Sequence, residues 1–256
     1  MLMTHQNLVG DLKRLKLPGM ADSLDRRAQE AEQTKLGYLE FASLLVQDEL
    51  ASRETNTFQK RLKAAGFSTR MTFESWDYDF NQGVLPAPTV RDLASCRFIE
   101  QRRNLVVAGP PGIGKSHIAQ AIGHEAARRG LDVAFFKTHK LLERFTKENL
   151  SGRRTQILMK RCLDAGLLIL DDFAFRTYSQ RETELLYAIC DERLSAASII
   201  ATSNRPPEDW FSVFPDPIVG GAVMDRLVSG AVKLIVTSGR SYRKEGSRWE
   251  TETVSA

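Results

Sequence analysis

The residues best suited to chemistry are Gly109, Pro110, Pro111, Gly112, Ile113, Gly114, Lys115 and Ser116. Together they form the glycine–lysine–hydroxyl pattern of a phosphate-binding loop. The glycines let backbone N–H groups crowd around phosphate oxygens. Lys115 supplies a charge for the β- and γ-phosphates, and the Ser116 hydroxyl is a ligand type for Mg²⁺. The apolar run Leu105-Val106-Val107-Ala108 precedes the loop, and His117 leads into a helix-like stretch that reaches Arg129. That is the strand–loop–helix setting the chemistry requires. The expected ligand is a nucleoside triphosphate.

A second cluster closes another apolar run. Leu167-Leu168-Ile169-Leu170 is followed by Asp171 and Asp172. Two adjacent acids beyond a buried strand repel each other unless a cation or water uses them. Asp171 is the expected Mg²⁺ partner, and Asp172 the group that orients or deprotonates the attacking water. A solvated turn with two capping acids is the bland alternative. Asn204, after Ala201-Thr202-Ser203, can reach the γ-phosphate or the water; otherwise it is a turn residue before Pro206-Pro207. Arg226 carries a planar, permanently charged fork that suits developing phosphoryl charge from a neighbouring subunit. On the residues alone, a local surface pair with Asp225 is the preferred reading.

These groups need elements to hold them. Candidate strands fall at 104–108, 132–137, 167–170, 198–202 and 233–237, with helices at about 115–129, 139–149, 155–165, 179–194 and 221–229. Alternating apolar strands and helices predict an α/β fold, a parallel sheet covered by helices on both faces. Ligands in such folds sit at the carboxyl ends of the strands, where Gly109, Asp171 and Asn204 stand. The region before it reads as helical. Leu8, Leu12 and Leu15 have helical spacing, Pro18-Gly19 stop that element, a second helix spans about 20–32, and a third runs from about Gly37 to Gly66. The stretch 73–80 alternates aromatic and polar residues as an ordered connector, and 83–88 reads as a turn-rich join. The expected division is a small helical domain, 1–70, and a nucleotide domain, 71–256.

Composition narrows the class. A 256-residue chain, 42% hydrophobic and 27% charged, is an ordinary soluble globular protein. Cys96, Cys162 and Cys190 are odd in number and lack metal spacing, which predicts a reduced, cytoplasmic protein. No signal-peptide core or membrane span is apparent. Between His139 and Ala165, seven basic residues (Lys140, Arg144, Lys147, Arg153, Arg154, Lys160, Arg161) face three acidic ones; this excess equals the net charge of the whole chain, +4. That stretch is the expected DNA-phosphate contact, with weak sequence preference. A solvated helix face is the alternative. Arg53, Lys60, Arg61, Lys63 and Arg70 form a second basic patch.

Together, the phosphate loop, the Leu-Leu-Ile-Leu-Asp-Asp strand, Ser203-Asn204-Arg205-Pro206, Asp225-Arg226-Leu227 and Ser241-Tyr242-Arg243 resemble an AAA+ ATPase of the initiator and helicase-loader branch. The nearest likeness is to the IstB-type helpers of insertion-sequence transposition, which the Leu15–Met20 stretch and the aromatic connector also fit. The resemblance implies ATP and Mg²⁺ as cofactors, ATP hydrolysis, and an arginine-finger role for Arg226. It further implies a homo-oligomer formed with ATP on duplex target DNA and delivery of that DNA to a transposase. Asp172 stands where most such enzymes carry Glu. Too little chain follows the last strand for the usual helical lid, which leaves Arg243 as a stand-in for the lid arginine. A replicative helicase loader is the near rival; a small-molecule P-loop kinase and a nucleotide-gated scaffold that hardly turns over are more distant ones.

Overall fold

The computed structural model describes residues 5–67, 71–147 and 152–245. These residues fall into two compact units that meet within one long helix, the first ending at Lys60 and the second beginning at Arg61. The expected join at residue 70 lies ten positions further along the chain.

The first unit contains α1 (His5–Arg14), α2 (Pro18–Thr34) and most of α3 (Tyr38–Ala65). Pro18 and Gly19 open α2 instead of merely stopping α1. Pro18 sits in the first turn, where its missing N–H costs nothing. Gly19 lets α2 cross α3 closely, since a Cβ there would meet Asp48 O and Glu49 Cα at 2.8 Å. The buried Glu49 carboxylate accepts from the Gly19 and Met20 amides at 2.7 and 3.2 Å. It thereby caps the helix start that no local side chain caps. Arg27 adds a two-pronged ion pair to Asp48, both contacts 2.8 Å.

The second unit is the α/β body. After a single 3₁₀ turn (Phe73–Ser75) come α4 (Ala87–Ala94), α5 (Arg97–Glu100), β1 (Leu105–Ala108), α6 (Lys115–Arg128), β2 (Val133–Lys137), α7 (Thr138–Lys147) and α8 (Arg153–Asp164). Then follow β3 (Leu167–Asp171), α9 (Gln180–Arg193), β4 (Ser198–Ser203), a 3₁₀ stretch (Pro207–Val213), α10 (Pro217–Val228), β5 (Val232–Ile235) and α11 (Tyr242–Glu245). The five strands form one parallel sheet in the order β2-β3-β4-β1-β5. Alternate strand residues feed two cores. Leu168, Leu170, Val106 and Ala201 pack with residues of α7, α8, α9 and α10. Ile169 faces α6, where Gly123 leaves space for Ile169 and Phe67. A two-faced parallel sheet buries almost every strand side chain, which is why the strands read as continuous apolar runs.

Sequence reading missed α4 and α5. Pro86 and Pro88 suggested a turn, yet Pro88 lies in the first turn of α4, where proline is tolerated. Helix α10 also starts earlier than expected, because the Asp216 carboxylate caps Ile218 N at 2.8 Å.

Candidate functional site

The carboxyl ends of the strands converge on one cleft of about 190 Å³. Gly109 follows β1 and its amide donates to Ser203 O of β4 at 3.1 Å, which ties the loop to the sheet. Lys115 is almost wholly buried, and its ammonium donates to Gly109 O and Pro110 O, both at 2.8 Å. Burial pushes this lysine down to about 8; Asp172 and Asp171 oppose the shift and Arg243 adds to it. An incoming triphosphate would replace the two carbonyls with charged oxygens, a stronger partner for an ammonium.

Asp171 ends β3, and its Oδ1 accepts from Ser116 Oγ at 2.7 Å and from Thr202 Oγ1 at 2.6 Å. The loop hydroxyl and the strand carboxylate are therefore already side by side. That donor set fits Mg²⁺, which takes one or two protein oxygens and completes its shell with phosphate oxygens and water. Among the described residues no group of three or more His, Cys, Asp or Glu stands ready to hold a metal alone. Asp172 adopts a left-handed backbone, φ 56°, and its amide donates to Thr202 Oγ1 at 3.1 Å. Asp172 lines the cleft, and Lys137 Nζ donates to its carboxylate at 2.8 Å. Asn204 also lines the cleft.

Aromatic side chains also line the cleft, and their gathering there escaped sequence reading. Trp76 lies on the loop at Gly114, whose φ of 101° suits glycine and where a Cβ would meet the indole at 2.5 Å. His117 stands edge-on to Trp76, with centroids 5.1 Å apart, and its Nε2 is 2.9 Å from Thr72 O. Phe80 and Tyr242 meet edge to face at 5.0 Å, and both line the cleft with Met71 and Arg243. The alternating pattern at 73–80 marked an ordered segment but did not reveal where it packs.

Arg226 lies elsewhere. The Asn104 side chain, just before β1, donates to Arg226 O at 2.9 Å, so this arginine sits toward the amino ends of the strands, away from its own cleft. Its guanidinium donates to Asp191 Oδ1 at 2.6 Å and Tyr187 OH at 3.1 Å, with the Tyr187 ring 4.6 Å away. The expected pair with Asp225 is not formed; the Asp225 carboxylate accepts from Ser229 Oγ instead.

Of the basic stretch, Lys140, Arg144, Arg153, Arg154 and Lys160 are exposed on α7 and α8. Lys160 pairs with Asp164 at 3.1 Å. Arg161 is engaged internally, donating to Ala64 O and lying 5.0 Å over the Phe136 ring. The Lys147 side chain lies outside the described residues, as does Arg70. In the second patch, Arg53 donates to Glu49 and Lys16 O, and Arg61 pairs with Asp132.

The comparisons agree with this geometry. The chain is 38% identical over 236 residues to a protein described as an ATP-binding protein of an insertion sequence from Mycobacterium tuberculosis, covering 91% of this chain and 92% of that one. It is 32% identical over 237 residues to the corresponding protein of insertion sequence IS21 from Pseudomonas aeruginosa, covering 93% and 88%. Among solved structures, the DnaC helicase loader superimposes with a TM-score of 0.54 at 22% identity, over 65% of this chain and 96% of that one. AMPPCP-bound DnaA from Aquifex aeolicus gives 0.55 at 21%, over 71% and 56%. These distant likenesses establish the AAA+ fold of the α/β body. The sequence profile of the IstB-like ATP binding proteins matches residues 10–249, and the chain belongs to that family.

Proposed function

We propose that this protein is an ATP-hydrolysing, DNA-binding helper of insertion-sequence transposition, which assembles with ATP on duplex target DNA and presents it to a transposase. The observation that carries the ATPase reading is the oxygen cluster of Ser116, Asp171 and Thr202 beside a buried Lys115, with Asp172 lining the same cleft. Mg²⁺, when bound with the nucleotide, would neutralise developing phosphate charge. Lys115 would hold the terminal phosphates, Ser116 and Asp171 the cation, and Asp172 the attacking water, with Asn204 orienting it. Asp172 now shares its carboxylate with Lys137, so it becomes a free base only when that pair opens.

Arg226 sits away from its own cleft, a position that suits an arginine offered to a neighbouring protomer's nucleotide. This supports assembly with ATP. Exposed apolar side chains on α3, namely Tyr38, Leu39, Val46 and Leu50, support a role for the first unit in self-association or transposase contact. The DNA reading rests on the exposed arginines and lysines of α7 and α8. Arg153 and Arg154 stand exposed in the first turn of α8, where two cations beside a helix start suit phosphates.

The insertion-sequence relatives match nearly the whole chain and support the transposition reading over helicase loading. The cysteines are buried and free, and no described helix is long and apolar enough to cross a membrane; both fit action in the cytoplasm. ATP turnover measured with and without duplex DNA and transposase tests the proposal. Turnover should require Mg²⁺ and rise with both partners present. A chain that binds ATP but does not turn it over under any of these conditions would return the reading to a nucleotide-gated scaffold.

A further inference from the structure

The last described stretch of the chain lines the cleft through Tyr242 and Arg243, and one side chain clasps its backbone. Asn81 Nδ2 donates to Arg240 O at 2.8 Å, and Asn81 Oδ1 accepts from Arg240 N at 2.8 Å. One amide thus satisfies both backbone groups of a residue 159 positions away. Only a planar amide offers a donor and an acceptor side by side. Asn81 is buried and has φ 60°, a conformation asparagine tolerates better than most residues. Its own carbonyl accepts from Val84 N and Leu85 N, which fixes the clasp to the body of the unit.

Everything the clasp joins bears on the cleft. The Arg240 guanidinium lies 4.6 Å over Phe80, and Phe80 meets Tyr242 edge-on. Tyr242 N donates to Gly112 O at 2.9 Å, and Gly112, φ 86°, has no room for a Cβ because Ser241 fills that space. A continuous line of contacts therefore runs from the phosphate loop through 241–242 to Phe80 and Asn81. Lys115 fixes the charged end of the cleft. Trp76, Phe80 and Tyr242 give the cleft aromatic faces beside Gly112 and Gly114, against which a base would stack.

We propose that Asn81 is a positioning residue that clasps the 239–245 segment to the 73–80 strap, so that the two together enclose the nucleoside end of a bound purine nucleotide. The inference rests on the reading of the cleft as a nucleotide site. It makes a specific prediction: the clasp acts on the nucleoside and not on the phosphates. The test compares ATP with inorganic tripolyphosphate, by calorimetric titration on the full-length chain. Asn81→Gly keeps the backbone conformation and removes the clasp. Asn81→Asp keeps the size and loses only the donor, which places a carboxylate oxygen against the Arg240 carbonyl. Both variants should bind ATP about tenfold more weakly and release it faster, and should bind tripolyphosphate as the wild type does. Unchanged ATP affinity in either folded variant overturns the clasp, as does a parallel loss for ATP and tripolyphosphate, which would mark general damage to the loop. If the wild type itself binds neither ligand, the reading of the cleft fails first.

Discussion

Ser116 and Asp171 lie 55 positions apart in sequence, yet the serine hydroxyl donates to the aspartate Oδ1 across 2.7 Å. Thr202 donates to the same oxygen from the neighbouring strand. Two hydroxyls from neighbouring elements thus hold one carboxylate oxygen, whereas Asp172 lines the cleft and pairs with Lys137. The two adjacent acids have been given different surroundings, and different consequences follow from neutralising each. Asp171→Asn should weaken the Mg²⁺ dependence of nucleotide binding. Asp172→Asn should bind ATP normally and turn it over about 10²-fold or more slowly. Calorimetry with and without Mg²⁺, beside steady-state hydrolysis, distinguishes them; wild-type turnover in Asp172→Asn would remove it from the mechanism.

Lys115 gives a pH signature. Burial lowers it to about 8 in the free protein, and a bound triphosphate favours its charged form. Above pH 8, binding must therefore take up a proton, so ATP affinity should fall as pH rises, by up to about tenfold per unit. Below pH 8 this contribution is flat. The free protein has the opposite sign: burying this lysine costs stability when it is charged, a cost absent above its unfolded value of 10.5 that grows as pH falls and is complete below about 8. Titration of ATP from pH 7 to 9.5 checks the binding arm, and Lys115→Ala should abolish productive binding. A flat affinity across that range would contradict the assignment.

Arg226→Ala should bind ATP like the wild type and lose both hydrolysis and ATP-dependent assembly. Mixing it with Lys115→Ala protein should restore part of the activity, since one variant keeps the pocket and the other the arginine. No recovery on mixing, with normal assembly of Arg226→Ala alone, would leave this arginine as an internal partner of Asp191 and Tyr187 only.

The phosphate loop and sheet were legible because their causes are local. Loop chemistry needs glycine, lysine and hydroxyl at fixed spacing, and strands covered on both faces must be apolar throughout. Asp171 could be read the same way, as the polar end of an apolar run. What was not legible depends on distant packing. Trp76, Phe80 and Tyr242 line one cleft only when residues 73–80 and 239–245 meet. Arg161 looked like its basic neighbours, yet it folds inward onto Ala64 O and Phe136. Helix α4 was hidden by prolines that stop a helix interior but not its first turn.

That inward turn of Arg161 sharpens the DNA prediction. Replacing Arg153 and Arg154 with alanine should weaken binding to all duplex sequences alike and flatten the salt dependence by roughly one unit of slope per lost contact. Arg161→Ala should leave the slope unchanged. Binding measured across a salt series decides it. An unaltered slope in the double variant would shift the contact to another basic surface.

The central claim is that ATP makes this chain a holder of duplex DNA. The most direct measurement is competition between duplex and single-stranded DNA of equal length, with ATP and Mg²⁺ present and then absent. Exposed basic side chains on α7 and α8 would suit duplex phosphates, whereas single strands need aromatic partners for their bases. The account predicts ATP-dependent duplex binding with little sequence preference and an altered DNA bend. A clear preference for the single strand, or duplex binding indifferent to ATP, would contradict it.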